Sequence, residues 1–170
     1  RMNRLDFNIE HAAVAAFWTR RLDAGTRLAT PERMLNDFFR AHAAHLLINC
    51  EIEPGADRRF ARVGSFKYGV YPNESVMMAV ELDRRGYHAE ARACLETLLH
   101  YQGTVPLPGD FASAEGVFYG ASGYECGGYN QHHGWSLWGL ASHFRFTRDE
   151  AWLKRIAPKL VAGCRWVMRE

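Results

Sequence analysis

Long hydrophobic runs are missing from the sequence, and so are the short motifs that mark several common enzyme classes. No apolar stretch approaches the roughly 20 residues that a membrane-spanning helix needs. A serine nucleophile elbow, a phosphate-binding glycine loop and a dinucleotide-binding fingerprint are also absent. We therefore expect no membrane partner and no cofactor.

An excess of charge of one sign is missing as well. The net charge is only +2, and the arginines come in scattered pairs rather than in a stripe along one face. Proteins that bind DNA or RNA usually concentrate lysine and arginine on one surface. We expect no nucleic-acid partner, and the mixture of 48% hydrophobic with 24% charged residues is typical of a soluble globular protein. The oligomeric state does not follow from this composition.

Cysteines are few and widely spaced. They form no CxxC pair and have none of the spacings of a zinc site, which predicts free buried thiols and no metal. Free thiols are typical of a reducing compartment, so we expect a cytoplasmic location. The four cysteines are Cys50, Cys94, Cys126 and Cys164.

Apolar residues recur at helical spacing over most of the chain, which predicts an all-α fold of antiparallel helical hairpins in one domain, 1–170. Thr30, followed by a proline, fits the N-cap of the second helix, and Pro72 fits the first turn of the third. Pro158 removes one helical hydrogen bond and predicts a kink or break in the sixth. The predicted helices cover about 8–22, 31–51, 72–85, 89–102, 132–146 and 149–167.

The lengths of the connections have a geometric consequence. Two long connections precede Pro72 and His132, whereas short ones fall at 23–30, 86–88 and 147–148. If neighbouring helices are antiparallel, the short connections share one end of the helix array and the long ones share the other. Long loops within a compact domain are usually functional. The working surface is therefore expected at the end that both long loops share.

The end that both long connections share carries carboxylates, amides, imidazoles and aromatic rings. Such a mixture suits sugars, because hydroxyl groups need hydrogen-bond partners and the C–H faces of pyranose rings pack on aromatic rings. Hydrolysis of a glycosidic bond typically needs one carboxylic acid and a second carboxylate as base or nucleophile. We predict that Glu125 and Glu74 form this catalytic pair. The predicted substrate-binding residues are Tyr71, Asn73, Asp110, Glu115, Tyr124, Tyr129, Asn130, Gln131, His132, His133 and Trp135.

Both glutamates can also be explained without a catalytic role. Glu74 fits a capping or first-turn residue of the third helix. Glu125 stands among glycines that allow a ligand to approach the backbone, but it equally fits a solvated loop carboxylate. The sequence alone leaves both interpretations open.

The histidine pair and the tryptophans near the fifth helix also have structural explanations. Side chains of adjacent helical residues point about 100° apart, so His132 and His133 do not easily face one metal ion. This favours a hydrogen-bonding role at the helix start for one of them. Trp135 and Trp138, three residues apart, are expected in the core, with Trp135 near the pocket.

The succession of hairpins resembles that of the six-hairpin glycosidases, a superfamily that includes glucoamylase-like, rhamnosidase-like and phosphorylase-type enzymes. The similarity covers nearly the whole chain and is one of pattern rather than of a single diagnostic motif. Its clearest segments are YPNES (71–75), LDRRGY (82–87), GWSLWGL (134–140) and TRDEAWL (147–153).

The resemblance implies an (α/α) barrel and a role for Glu74. In glucoamylase-like members an Arg-Asp pair often opens an inner helix and binds the terminal sugar, and Asn73-Glu74 stands at the matching place. The chain contains about three hairpins of the six. We therefore expect it to be part of a longer protein, which leaves open whether a catalytic carboxylate lies beyond Glu170.

Taken together, the residues and the resemblance predict a carbohydrate-active protein that hydrolyses O-glycosidic bonds through paired carboxylates. Two other functions stay open. One is a non-catalytic helical-hairpin module that holds a ligand or a protein on the same loops. The other is a six-hairpin sugar isomerase or epimerase, in which His132 or His133 would be the base.

Overall fold

Six helices and one short β-hairpin form in the part of the chain that a computed structural model describes, residues 5–62, 70–104, 106–107, 109–120 and 131–170. The mostly helical fold that the periodicity predicted is confirmed. The helices are α1 (Phe7–Asp23), α2 (Arg33–Ile48), α3 (Pro72–Arg84), α4 (His88–Tyr101), α5 (Gln131–Thr147) and α6 (Glu150–Arg169).

Proline and N-cap residues explain where α3 and α6 begin, but the N-cap predicted for α2 is not the one observed. Pro72 occupies the first turn of α3, as predicted, and the Asp149 side chain caps α6 by accepting from the Trp152 backbone N–H. The prediction for Thr30 is wrong, because Glu32 is the N-cap residue of α2. The Thr30 hydroxyl is engaged elsewhere, since it donates to Asn36 Oδ1 at 3.0 Å.

The prediction that the second helix continues to Glu51 is also wrong. The helix ends at Ile48, and strand β1 (Cys50–Ile52) follows it and pairs antiparallel with β2 (Arg59–Ala61). Cys50 and Phe60 are buried, and the Phe60 ring stacks on Tyr101 of α4 with ring centres 6.4 Å apart. These contacts with distant residues override the local helical pattern.

A kink or break in the sixth helix was predicted at Pro158, and the helix does not break there. Helix α6 continues from Glu150 to Arg169 through this proline. The proline leaves the carbonyl of Lys154 without its helical donor. Lys154 and Pro158 are both exposed, so water can supply the missing hydrogen bond.

Helices α3 and α5 lie side by side and run in the same direction. At their N-terminal ends the rings of Tyr71 and His132 are 6.2 Å apart. At their C-terminal ends His143 Nδ1 lies 2.9 Å from a carboxylate oxygen of Asp83. The first turns of both helices, and hence the ends of both long connections, therefore lie together, as the connection lengths predicted.

Helices α4 and α6 form a second parallel pair against the first. Near their N-terminal ends Arg92 Nη2 donates to Asp149 at 2.7 Å. Further along, Trp152 Nε1 donates to Glu96 at 3.0 Å, and Lys159 donates to the Leu99 carbonyl. Because α4 follows α3 after a tight turn, and α6 follows α5 in the same way, the array consists of antiparallel hairpins.

The core between these helices is tightly packed, and α3 and α5 approach each other closely at a glycine. Leu82, Leu95 and Leu140 are at most 1% exposed, and burying a leucine side chain stabilises the fold by about 1.5–3 kcal/mol. Gly139 of α5 faces Val76 of α3, where a Cβ atom would lie only 2.5 Å from Val76 Cγ1. The absence of a side chain at Gly139 therefore allows α3 and α5 to approach closely.

A buried carboxylate ties the helices together at the end with the short turns. Asp83 accepts from His143 Nδ1 and, at 2.8 Å, from His88 Nδ1. On its other side His143 Nε2 faces Arg92 Nε at 3.4 Å, and an arginine can only donate. These partners fix His143 with its proton on Nδ1.

The hairpin of α1 and α2 is packed less tightly against the core than the other two hairpins. Helix α1 has no buried residue, and Tyr87 contacts its end by donating to the Leu22 carbonyl at 3.3 Å. The apolar side chains that remain exposed on α1 and α2 include Phe7, Ile9, Phe17, Met34 and Phe38. Among the described helices, none is long and apolar enough to cross a membrane.

A pair of glycine substitutions tests the close approach of α3 and α5. We expect Gly139→Ala to lower the free energy of unfolding by about 1–3 kcal/mol, because the new methyl group overlaps Val76. Gly134→Ala is the matched control, since a Cβ there meets nothing within 4 Å and alanine favours a helix by up to about 1 kcal/mol. Urea unfolding followed by circular dichroism measures both, and equal stabilisation by the two substitutions would contradict the packing.

Candidate functional site

The shared end of α3 and α5 carries the cluster that the sequence singled out. His132, in the first turn of α5, is completely buried, with the Tyr71 ring 6.2 Å away and the Tyr119 ring 6.3 Å away. The first-turn N–H groups of both helices have no partner within their own helix. Two aromatic rings and two helix starts therefore meet at one place.

Asn73 and Glu74 follow Pro72 on the first turn of α3. Both are partly buried. Among the described residues, Asn73 Oδ1 is buried without a hydrogen-bond partner, and such a group usually costs about 1–3 kcal/mol. An amide in this state is suited to a polar ligand or water.

Several predicted site residues lie outside the described residues. They are the catalytic candidate Glu125 and the binding candidates Tyr124, Tyr129 and Asn130. Gln131 is the first residue of α5 and is exposed.

His133 forms a structural bridge. Its Nδ1 accepts from the Phe118 backbone N–H at 3.1 Å, and its Nε2 lies 3.0 Å from the Gly163 carbonyl, to which it donates. Burial lowers the pKa of His133, while the bond to Gly163 opposes this effect. His133 thereby joins α5 to α6 and to the segment before Gly120.

Asp110 and Glu115 are exposed in a segment that is anchored on the end of α6. Trp166 Nε1 donates to the Ser113 carbonyl at 2.7 Å, and Arg169 donates to the Glu115 carbonyl at 2.9 Å. The segment then leads through Tyr119 to the His132 ring. Tyr119 was missing from the sequence-based site, although its place in an aromatic-rich loop was the available signal.

The tryptophans of α5 differ from expectation in one respect. Trp135 and Trp138 meet edge to face with ring centres 5.2 Å apart, and Trp135 is partly buried against the core. Trp138 is 42% exposed, so its predicted core position is wrong. With Gln131 and Gly134 the two rings line an open depression of about 430 Å³. The described residues leave this side of α5 uncovered.

A larger groove of about 1030 Å³, which the sequence did not reveal, lies between the tip of the β-hairpin, α4 and α6. Several of its charged side chains are engaged with other parts of the chain. Arg58 donates to Glu53 at 2.6 Å, and Arg155 donates to Glu96. These bonds hold structural elements together, and among the described residues no three histidine, cysteine or acidic side chains could hold a metal ion.

The stability that the His133 bridge gives the folded protein depends on pH. Because its pKa is lowered from 6.5 in the folded protein, the unfolded chain takes up this proton at higher pH than the folded protein does. The stabilisation of the folded protein by neutral His133 is therefore complete above about pH 6.5. It is lost as the pH falls below that value.

We expect His133→Phe to lower the free energy of unfolding by about 2–3 kcal/mol at pH 7.5, because the Phe118 N–H and the Gly163 carbonyl lose their buried partner. The difference from the unsubstituted protein should shrink at pH 5. His45→Phe, at an exposed position of α2, is the control. Urea titrations at several pH values measure the difference, and a gap that stays constant from pH 7.5 to 5 would contradict the bridge.

Tyr71, Asn73, Glu74 and His132 are thus brought to one end of the array, and Asp110 and Glu115 lie on the side of α6. The position of the first group follows from the parallel course of α3 and α5. No protein-family model, no curated protein and no solved structure matches this chain.

Proposed function

We propose that the shared end of α3 and α5 binds a carbohydrate and that the protein hydrolyses O-glycosidic bonds there. The observation that carries this proposal is the meeting of the first turns of α3 and α5, where the Tyr71 and His132 rings lie 6.2 Å apart. This arrangement assembles residues from both long connections. Sequence reasoning chose the same residues for their chemistry.

The groups at this end match what a sugar needs. The Tyr71 ring at this end is partly exposed, and the C–H faces of pyranose rings pack on aromatic rings. Asn73 presents a buried amide oxygen that has no hydrogen-bond partner among the described residues, and Gln131 is exposed at the start of α5. A few polar groups beside aromatic faces are typical of small-molecule sites.

The proposed reaction uses Glu74 and Glu125 as the two carboxyl groups. Glu74 is in the first turn of α3, and Glu125 precedes the first residue of α5 by only six positions. Since the two helix starts lie together, we propose that both glutamates act at the same end of the array. One would protonate the leaving oxygen, and the other would be the nucleophile or the base that activates water.

The helix arrangement agrees with the resemblance to six-hairpin glycosidases. Parallel α3 and α5, backed by parallel α4 and α6, are what repeated antiparallel hairpins would produce in part of an (α/α) barrel. We propose that further hairpins complete the barrel. The exposed face of Trp138 and the apolar side chains of α1 are surfaces that such neighbours would cover.

The alternative of an isomerase or epimerase has less support. Both ring nitrogens of His133 are engaged with backbone groups, which leaves His132 as the only candidate base of the pair. A non-catalytic binding module would use the same surface. Turnover distinguishes these functions.

The proposed reaction is tested with the complete protein on a panel of aryl glycosides and oligosaccharides. We expect Glu125→Gln and Glu74→Gln each to lower kcat/KM at least about a hundredfold, because loss of a general acid or base removes a factor of about 10²–10⁴. Glu150→Gln is the matched control, since Glu150 is also a first-turn glutamate but lies at the opposite end and is exposed. It should leave kcat/KM unchanged.

Three outcomes would contradict hydrolysis at this site. Full activity of both glutamine variants would exclude these residues. Sugar binding without turnover of any substrate in the panel would indicate a binding module. Formation of an isomer without bond cleavage would indicate the isomerase. Circular dichroism checks that each variant is folded.

A further inference from the structure

Two cysteines from distant parts of the chain meet in the core. Cys50 begins strand β1, and Cys94 lies in the middle of α4, with the two sulfur atoms 3.9 Å apart. They are 5% and 2% exposed. The Cys50 thiol also lies 3.3 Å from the Leu46 carbonyl, to which it donates.

The hydrogen bond between the thiols makes them chemically unequal. The Cys94 S–H group donates to the Cys50 sulfur and lowers the pKa of Cys50, although burial opposes this effect. The same bond, together with burial, raises the pKa of Cys94. A thiolate is the attacking species in exchange reactions, so Cys50 is the more nucleophilic partner.

Cys50 is also on the element that can expose it more easily. It belongs to a hairpin of two three-residue strands, whereas Cys94 is inside a helix of 14 residues. Short surface elements open locally at a lower free-energy cost than core helices. Opening of the hairpin would bring Cys50 to solvent while α4 stays folded.

We propose that Cys50 and Cys94 are a redox pair, which a small disulfide such as oxidised glutathione converts into a disulfide that fastens the hairpin to α4. The Cys50 thiolate attacks one sulfur of the oxidant, forms a mixed disulfide and releases one reduced glutathione. Cys94 then loses its proton, attacks the Cys50 sulfur and releases the second glutathione. The protein loses two hydrogens, and the oxidant is reduced to two thiols.

The geometry of the reduced pair suits this reaction. The sulfur atoms must close from 3.9 Å to about 2.0 Å, a change within reach of side-chain rotation and a small shift of the hairpin. The bond would fix the segment that follows α2, because β2 pairs with β1 and Ser75 of α3 donates to the Ala61 carbonyl. Oxidation would thereby restrain β1 and β2 against α4. This inference is independent of the proposed glycosidase activity.

The experiment uses the complete protein with Cys126→Ser and Cys164→Ser, so that Cys50 and Cys94 are the only cysteines of this region. It is incubated with oxidised glutathione under native conditions, and intact mass and peptide mapping follow the products. We expect loss of two hydrogens, a cross-linked peptide pair containing Cys50 and Cys94, and reversal by dithiothreitol. The added bond should raise the Tm by roughly 5–10 °C.

Single substitutions test the order of the steps. Cys94→Ala should stop at a stable glutathione adduct on Cys50, whereas Cys50→Ala should leave Cys94 unmodified. Absence of the cross-link in the protein that retains both cysteines, a glutathione adduct that persists in it, or cross-linking only in urea would overturn the proposal. This mapping decides the question even if an alanine variant fails to fold.

Discussion

The parallel packing of α3 on α5 is the constraint on which the rest of the structure depends. It is close because Gly139 offers no side chain where Val76 of α3 meets α5. At one end of this contact Asp83 joins His143, and at the other the Tyr71 and His132 rings approach each other. If the two helices were displaced, the buried carboxylate would lose its partner and the first turns of α3 and α5 would no longer lie together.

The same contact separates a structural end from a candidate functional end. At the end with the short turns, Asp83, His88, His143 and Arg92 satisfy one another, so little polar capacity is left for a ligand. At the opposite end Asn73 Oδ1 is buried without a partner among the described residues. The polar groups at the first end are therefore used within the fold, whereas the second end is where we propose that a ligand binds.

Much of the fold could be predicted from local patterns, because helical periodicity and turn glycines are local properties. The paired hairpins and their shared end followed from connection lengths alone. The β-hairpin after α2 could not be predicted, since Cys50 and Phe60 are held by contacts with residues of α4 more than 40 positions away. The continuity of α6 through Pro158 also depends on exposure to solvent, which periodicity does not show.

The candidate site was predictable in residue type but not in arrangement. Glycines, carboxylates and aromatic rings marked the two long connections, yet the sequence assigned His132 and His133 similar roles. The structure distinguishes them, because His133 is used twice as a backbone partner whereas His132 lies between Tyr71 and Tyr119. Such a difference depends on the position of Gly163 in α6, which lies 30 residues after His133 in the chain.

Hydrogen exchange of the complete protein, with and without an oligosaccharide whose linkage oxygen is replaced by sulfur, tests most directly where a ligand binds. Binding at the shared end of α3 and α5 predicts slower exchange in 70–76, 117–120 and 131–135 together. Slower exchange confined to the groove between α4 and α6, or no change in these three segments while the oligosaccharide is bound, would contradict the central claim.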